Sequence, residues 1–445
     1  MHGRIRTGQP RRRSRRVALA AVFLVASCSG SDSDKESAPT TTAGAASNSD
    51  GSATTVAEAP ATVVKIGFAY PDLSGLAVLV PEASLGDPAL QAEAVVHGWL
   101  RDGLVPAGLT IELVPEPYNI IDRSAQEGVC VSLAEDKDVF AVAAGIQFLR
   151  GTECLADRYD IPTIGADGTS RDAYQRGAPY MFTLRADTET QLRTYGRWMV
   201  ESGVLDGKRI GLYYETPLEA GVVAMKEELA AGGYEIVSES TSTGIGTGGP
   251  EDIVAMQRFI ADHVDVELPL VGSSSAESGY FFAEEQGYHP TVLDLDYEEH
   301  TQDLVGKTNP EWYEGTQAMT LTRVGELGTQ YDTAAADACL DNYDSYAGVD
   351  TPRVSPTTPE TNSILQTCDV LAVVLAGLQA LGATPAADDF VAGIENAGEF
   401  HFASVGDGAF SASDHTGTDN YRIVEFSGTC KCWTPVSDFK PMVRE

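Results

Sequence analysis

Apolar residues along this chain fall into short continuous runs separated by longer stretches with helical spacing. The run 63–69 reads as a buried strand. Pro88 then stands at a helix start, and 89–104 carries apolar residues at Val95, Val96, Trp99 and Leu100 on one helical face. Strands follow over 109–114 and 139–144, with helices over 123–134 and 154–159. The stretch 161–184 organises what surrounds it. It begins as a strand over 161–164, breaks into Gly165-Ala166-Asp167-Gly168-Thr169-Ser170, and resumes as an apolar run over 180–184. A strand ending in a polar, glycine-bracketed loop is where α/β sheets present groups to ligands. The loop is therefore expected to line a cleft, and the run after it to cross into a second lobe.

After Leu184 the alternation restarts. Helices are predicted over 188–200, 217–231, 251–263 and 276–286, the first with Thr188 and Gln191 as a capping box. Strands are predicted over 209–214, 234–240, 268–271 and 291–294. One more strand, 315–322, precedes helices at 332–346, 362–381 and 387–397. Of these, 368–381 is the most apolar and reads as core, and a late strand lies at 421–426. Strand and helix in alternation predict doubly wound parallel sheets, here two units of similar size.

Length agrees, since 445 residues exceed one core and fit roughly two or three domains. Net charge is −35, and the first 27 residues hold seven arginines and no acid, so the remainder is more acidic still. Such a surface repels nucleic acid and anionic lipid headgroups, so no nucleic-acid partner is expected. The basic segment ending Ser14-Arg15-Arg16 and the apolar run Val17 to Ala26 form an export signal over 1–27, compatible with either Sec or twin-arginine export. Val25-Ala26-Ser27-Cys28 resembles a bacterial lipobox, with Cys28 as the lipidated residue. The segment 28–61, rich in Ser, Thr, Ala and Gly, cannot build a core and reads as a disordered tether. Six further cysteines in an exported chain favour disulfides, with the neighbouring pairings Cys130–Cys154, Cys339–Cys368 and Cys430–Cys432. The last closes a very short loop and has a zinc site as its alternative, although no second Cys/His pair offers ligand spacing.

Candidate chemistry is sparse. Gly244-Ile245-Gly246-Thr247-Gly248-Gly249 matches a dinucleotide-binding pattern but lacks a tight strand-to-helix setting, and reads as a surface loop. Gly272-Ser273-Ser274-Ser275 lacks a nucleophile elbow and fits a polar loop that offers hydroxyls to a ligand. No histidine pair has metal-binding spacing, so no metal and no cofactor are expected. Asp72, Asp167, Glu215 and Asp296 stand near predicted strand ends. As a set they could meet a cationic ligand group, while singly each is an ordinary surface acid.

Together, Val64-Lys65-Ile66-Gly67, the loop 161–170, Ile210-Gly211-Leu212-Tyr213-Tyr214-Glu215 and the turn from Phe410 to Gly417 resemble the type I periplasmic binding proteins. More narrowly they resemble the branched-chain-amino-acid-type solute-binding lipoproteins of ABC importers. The resemblance spans Thr62 to Pro435. It implies two doubly wound α/β lobes joined by a three-crossing hinge, a Venus-flytrap, with 62–185 and 323–405 in lobe one and 186–322 and 406–445 in lobe two. It implies a monomer outside the cytoplasm, anchored to the membrane through Cys28, that is not an enzyme. Its partners would be a small amino-acid-like ligand and ABC permease subunits. Thr169 aligns with a ligand-binding threonine, Asp167 with a backbone donor position, and Asp296 with an acid that clamps an ammonium. Ser74, Phe148, Gly168, Tyr214, Glu215, Ser273 and Ser274 complete the implied ligand set. The family's anchoring serine is missing, leaving Arg150 or Thr152 to substitute for it. A ligand sensor without transport is the alternative on this fold. A hydrolase has no triad or metal set to support it.

Overall fold

The computed structural model describes residues 61–73, 84–119, 123–144, 153–243, 249–296, 300–301 and 311–443. Strand and helix alternate through the first half as β1 (Thr62–Pro71), α1 (Pro88–Arg101), β2 (Leu109–Tyr118), α2 (Arg123–Val131), β3 (Ala141–Ala144), α3 (Glu153–Tyr159), β4 (Thr163–Gly165), α4 (Arg171–Gly177) and β5 (Met181–Thr183). These strands form one parallel sheet in the order β2-β1-β3-β4-β5. The chain then continues through α5 (Thr188–Ser202), β6 (Ile210–Glu215), α6 (Glu219–Ala231), β7 (Ile236–Ser242), α7 (Pro250–Ala261), β8 (Val266–Leu270), α8 (Ser273–Gln286), β9 (Thr291–Leu295) and β10 (Gln317–Thr320). The second parallel sheet has the order β7-β6-β8-β9-β10. Counted within each half, the two orders are the same: second, first, third, fourth, fifth. The repeat expected from alternation is thus a repeat of topology.

Both sheets are covered on two faces, which is why their central strands read as near-continuous apolar runs. On the first sheet, Val95 and Trp99 of α1 pack with Ile66, Phe68, Ile164 and Phe182. Past α9 (Ala334–Ala347), the same core takes Val370 and Val374 of α10 (Pro359–Gln379) and Phe390 of α11 (Ala387–Glu395). Val129, Leu133 and Leu155 cover the opposite face. On the second sheet, Leu192, Met199 and Met225 pack with Leu212, Leu268 and Leu293, while Met256, Phe259 and Tyr280 cover Tyr213 and Val292. Among the described residues one helix, α10, is long and apolar enough to cross a membrane, and 72% of its apolar window is buried inside the fold. It is a core helix, as its composition predicted.

The chain passes between the sheets after β5, after β10, and, past the short β11 (Glu399–Phe400) and β12 (Gly408–Ala409), before β13 (Asn420–Ser427). The first and third passages are hydrogen-bonded side by side, and the second is hydrogen-bonded to the segment 404–406. Thr418 N–H donates to the Leu184 carbonyl at 2.8 Å, Gly406 N–H to Leu321 at 2.9 Å, and Arg323 N–H to Ser404 at 2.9 Å. β13 joins the second sheet antiparallel to β10, and β14 (Cys432–Pro435) pairs with β13.

The tail differs from expectation. It was to enter the second lobe after Val405, yet Phe410 lies in the first core against Phe182, and Thr416 bridges to Thr183 of β5. By packing, the third passage falls after Thr418. Helix α4 was not expected, because its seven residues are mostly polar; Ser170 caps it by accepting from Ala173 N–H at 3.3 Å. The cap of α5 is Asp187, which accepts from Thr190 N–H at 2.9 Å, in place of the predicted Thr188–Gln191 box. Disulfides join Cys130–Cys154, Cys339–Cys368 and Cys430–Cys432.

Candidate functional site

In an open α/β sheet, ligands meet the carboxyl ends of strands where the strand order reverses. Those points lie between β1 and β3 in one sheet and between β6 and β8 in the other. Of the expected site residues, Ser74, Phe148, Arg150 and Thr152 lie outside the described residues, as do Cys28, the signal segment and the tether through Pro60. The rest are placed.

The loop after β4 turns against the first passage. Gly168 is pressed there so closely that a Cβ would stand 2.0 Å from the Ala186 carbonyl oxygen. Gln191 donates to that same oxygen at 2.7 Å, and Thr188 N–H donates to the Thr169 carbonyl at 3.0 Å. Asp167 faces the Arg185 guanidinium at 3.4 Å, and Arg185 is itself buried. The carboxylate that interrupted a loop of small neutral residues therefore belongs to an ion pair with the passage. Its charge reaches Tyr118 at the end of β2, whose hydroxyl is held well above its ordinary range by burial first and Asp167 second. The Thr169 hydroxyl, expected to meet a ligand, donates to Glu153 Oε1 at 2.9 Å.

In the second sheet Glu215 ends β6 at the reversal point and is buried. Its Oε1 accepts the Gly272 N–H at 2.9 Å, which ties β6 to the start of α8. Ser273 is half-buried beside this tie and Ser274 is exposed. The Tyr214 hydroxyl lies 3.4 Å from Glu219 and is pushed up to about 12, by burial first and then by Glu239 and Glu219. Asp296, expected to clamp an ammonium, is enclosed by its own neighbours. It accepts from Thr301 N–H at 3.0 Å, the Thr320 hydroxyl at 2.5 Å and the Thr322 hydroxyl at 3.3 Å. This carboxylate braces the second passage. A buried acid needs donors, and Thr320 and Thr322 supply them from within the fold.

A small cleft, with a cavity volume of about 30 Å³, opens beside the second passage. Thr322, Arg323, Glu326, Asp332, Asn362 and Gln366 contribute to its wall. Arg323 pins the second passage to the segment 402–405: its Nε donates to the Phe402 and Val405 carbonyls at 3.0 and 2.9 Å. Its terminal nitrogens reach Glu326 at 3.1 Å and Asp407 at 2.6 Å. Glu326 also takes the buried Arg422, and both arginines stand over the Phe439 ring. Neither Arg185 nor Arg323 was named from sequence. The signal was there: the chain has 30 Lys and Arg against 65 acids, and each of these arginines directly follows a predicted strand or apolar run at a predicted crossing. The arrangement offers hydrogen-bonding groups and an articulated joint. Among the described residues no cluster of three or more His, Cys, Asp or Glu has the placement of a metal site.

Comparison with known proteins gives this geometry a context. The family model described as periplasmic binding protein matches residues 63–431. No curated protein matches the chain by sequence. Solved structures share the fold at low identity. A solute-binding protein of an ABC transporter from Rhodopseudomonas palustris BisB5, in complex with 3,4-dihydroxy benzoic acid, is 16% identical with a TM-score of 0.64, covering 86% of this chain and 98% of that one. A branched chain amino acid ABC transporter protein from Thermus thermophilus with bound valine is 14% identical, with a TM-score of 0.64 and coverage of 86% and 97%. An ABC transporter substrate binding protein from Aeropyrum pernix is 12% identical, with a TM-score of 0.68 and coverage of 86% and 96%.

Proposed function

Because the chain belongs to the periplasmic binding protein family, we propose that it captures a small polar solute between two lobes and delivers it to an ABC importer. The observation that carries this reading is the pair of sheets with one strand order, joined by three hydrogen-bonded passages, under a family model matching residues 63–431. Passages of that kind let two rigid lobes close on a ligand like a hinge. We take the first lobe as 62–185 with 323–418 and the second as 186–322 with 419–445. The boundary moves from 405 because Phe410 and Thr416 pack on the first sheet.

The ligand class is a small carboxylate-bearing molecule, with amino acids, including those with side-chain amides, first. Support comes from neighbours whose bound molecules are valine and a dihydroxybenzoic acid, both carboxylates. Thr169 and Asp296 do not carry this assignment, since each is engaged within the fold. Membrane anchoring through Cys28 completes the proposal and rests on the lipobox-like Val25-Ala26-Ser27-Cys28.

Equilibrium unfolding against a panel of amino acids, their amides and aromatic acids tests the reading. The true ligand at about 100 times its dissociation constant raises stability by about 2.7 kcal/mol. No stabilisation by any carboxylate in the panel removes the ligand assignment. The anchor is tested separately: a clickable fatty-acid analogue should label the wild type and leave Cys28→Ser unlabelled.

A further inference from the structure

We infer that the Cys430–Cys432 pair is a site of thiol–disulfide exchange, open to a dithiol donor under conditions in which the other two disulfides stay closed. The three bridges differ in span. Sequence separations are 24 for Cys130–Cys154, 29 for Cys339–Cys368 and 2 for Cys430–Cys432. The short bridge constrains the unfolded chain least, so opening it costs the fold less stability than opening either long-range bridge.

Position adds access. Cys430 is exposed at the tip of the hairpin between β13 and β14, whereas Cys130 and Cys339 are buried in cores of the first half. Cys432, its partner, is buried and in register with Ser427 at the end of the ladder. Lys431 between the two sulfurs holds φ at 53°, a left-handed geometry that side-chain-bearing residues adopt at a cost. The hairpin does not depend on the bridge. Trp433 is fully buried against Phe426 and Tyr313, and Gly428 N–H donates to the Glu314 carboxylate. Reduction can therefore occur without unfolding the sheet.

The asymmetry fixes the direction of attack. A donor thiolate bonds to the exposed Sγ of Cys430. The Cys430–Cys432 bond breaks, and its electron pair leaves on Cys432 Sγ, which takes a proton. The donor's second thiolate then attacks the donor sulfur of the mixed disulfide and releases Cys430 as a thiolate, which is protonated in turn. Two electrons and two protons pass to the pair, and the donor dithiol becomes a disulfide.

The experiment titrates the folded full chain with dithiothreitol, quenches with iodoacetamide and maps the alkylated peptides by mass. Cys430 and Cys432 should label at reductant concentrations at least tenfold below those needed for the other four cysteines. Simultaneous labelling of all three pairs, or earlier labelling of either long-range pair, overturns the inference. A second arm reads the attacked sulfur: with oxidised glutathione, Cys432→Ser should form a mixed disulfide at Cys430 at least tenfold faster than Cys430→Ser forms one at Cys432. Equal rates overturn the assignment of Cys430.

Discussion

Each half of the molecule buries a carboxyl group away from water, and the two are held in opposite ways. Asp369, on α10 against the first sheet, accepts from Ala403 N–H and Ser404 N–H, both at 2.7 Å, and from the Ser404 hydroxyl at 2.6 Å. Glu267, on β8 of the second sheet, lies in register with Gly211 and Val292. Among the described residues its Oε2 is buried without a hydrogen-bond partner. Tyr280, Tyr313 and Asp294 surround it electrostatically, and His300 stands 2.9 Å from Asp294. Burial pushes Glu267 up to about 8, with Asp294 adding to the rise. Burial also raises Asp369, but the three donors oppose it and leave the value at about 6. These two acids, buried in halves with one strand order, are thus treated differently. Topology permits the burial, and local donors decide whether the acid is kept ionised or left to neutralise.

The largest expected effect breaks this comparison on the Glu267 side. A carboxyl at about 8 in the folded chain, against an ordinary value of 4.5, binds its proton more tightly when folded. Its contribution is therefore full below pH 4.5 and is lost as pH rises through 8, a fall on the order of 5 kcal/mol. Glu267→Gln should flatten that slope, raising stability by about 5 kcal/mol at pH 9 and changing it little at pH 4. Urea unfolding of both proteins across this range reads it directly. Identical slopes would mean that Glu267 is not the titrating group.

The opposite sign is expected at Asp369. Asp369→Ala at pH 7 strands two N–H groups and a hydroxyl in the interior, a loss of about 3 kcal/mol. Calorimetric unfolding checks it, and stabilisation here would erase the distinction between the two acids. A smaller effect tests the first half's other close contact. Gly168→Ala places a methyl against the Ala186 carbonyl, which must move, at a cost of about 2 kcal/mol. Thermal unfolding at neutral pH measures it, and an unchanged midpoint would show that the loop and the passage are not in fixed contact.

The fold was legible wherever burial imposes a pattern. Apolar runs such as 63–69 and 209–214 must be strands covered on both faces, and strands alternating with helices must form parallel sheets. Strand order left no such mark, because nothing local to β3 says that it lies beside β1. Helix α4 escaped because its short, polar stretch buries little beyond Ala173 and Gly177. The tail was misassigned because Phe410 reads the same in either core. The candidate site was harder still. Glu153 approaches Thr169 from another element, and Thr320 and Thr322 approach Asp296 across the second passage. Position at a strand end could be read from the sequence, but the company of the side chain could not.

Thr169 gives the finest test of that lesson. Resemblance assigns its hydroxyl to a ligand, and the structure engages it with Glu153 at 2.9 Å on a half-buried loop. The second half offers the parallel case, since Asp296 is likewise held by its own neighbours. A hydroxyl donating to a carboxylate within the fold stabilises the fold, so Thr169→Val should lower unfolding stability by about 1 kcal/mol. Ligand affinity, measured by calorimetric titration once the panel has supplied a ligand, should stay within about twofold, because a bond internal to one lobe contributes equally with and without ligand. Loss of affinity at unchanged stability would show the hydroxyl leaving Glu153 for the ligand when the lobes close. The first half would then present a binding group that the second half, with Asp296 enclosed, does not.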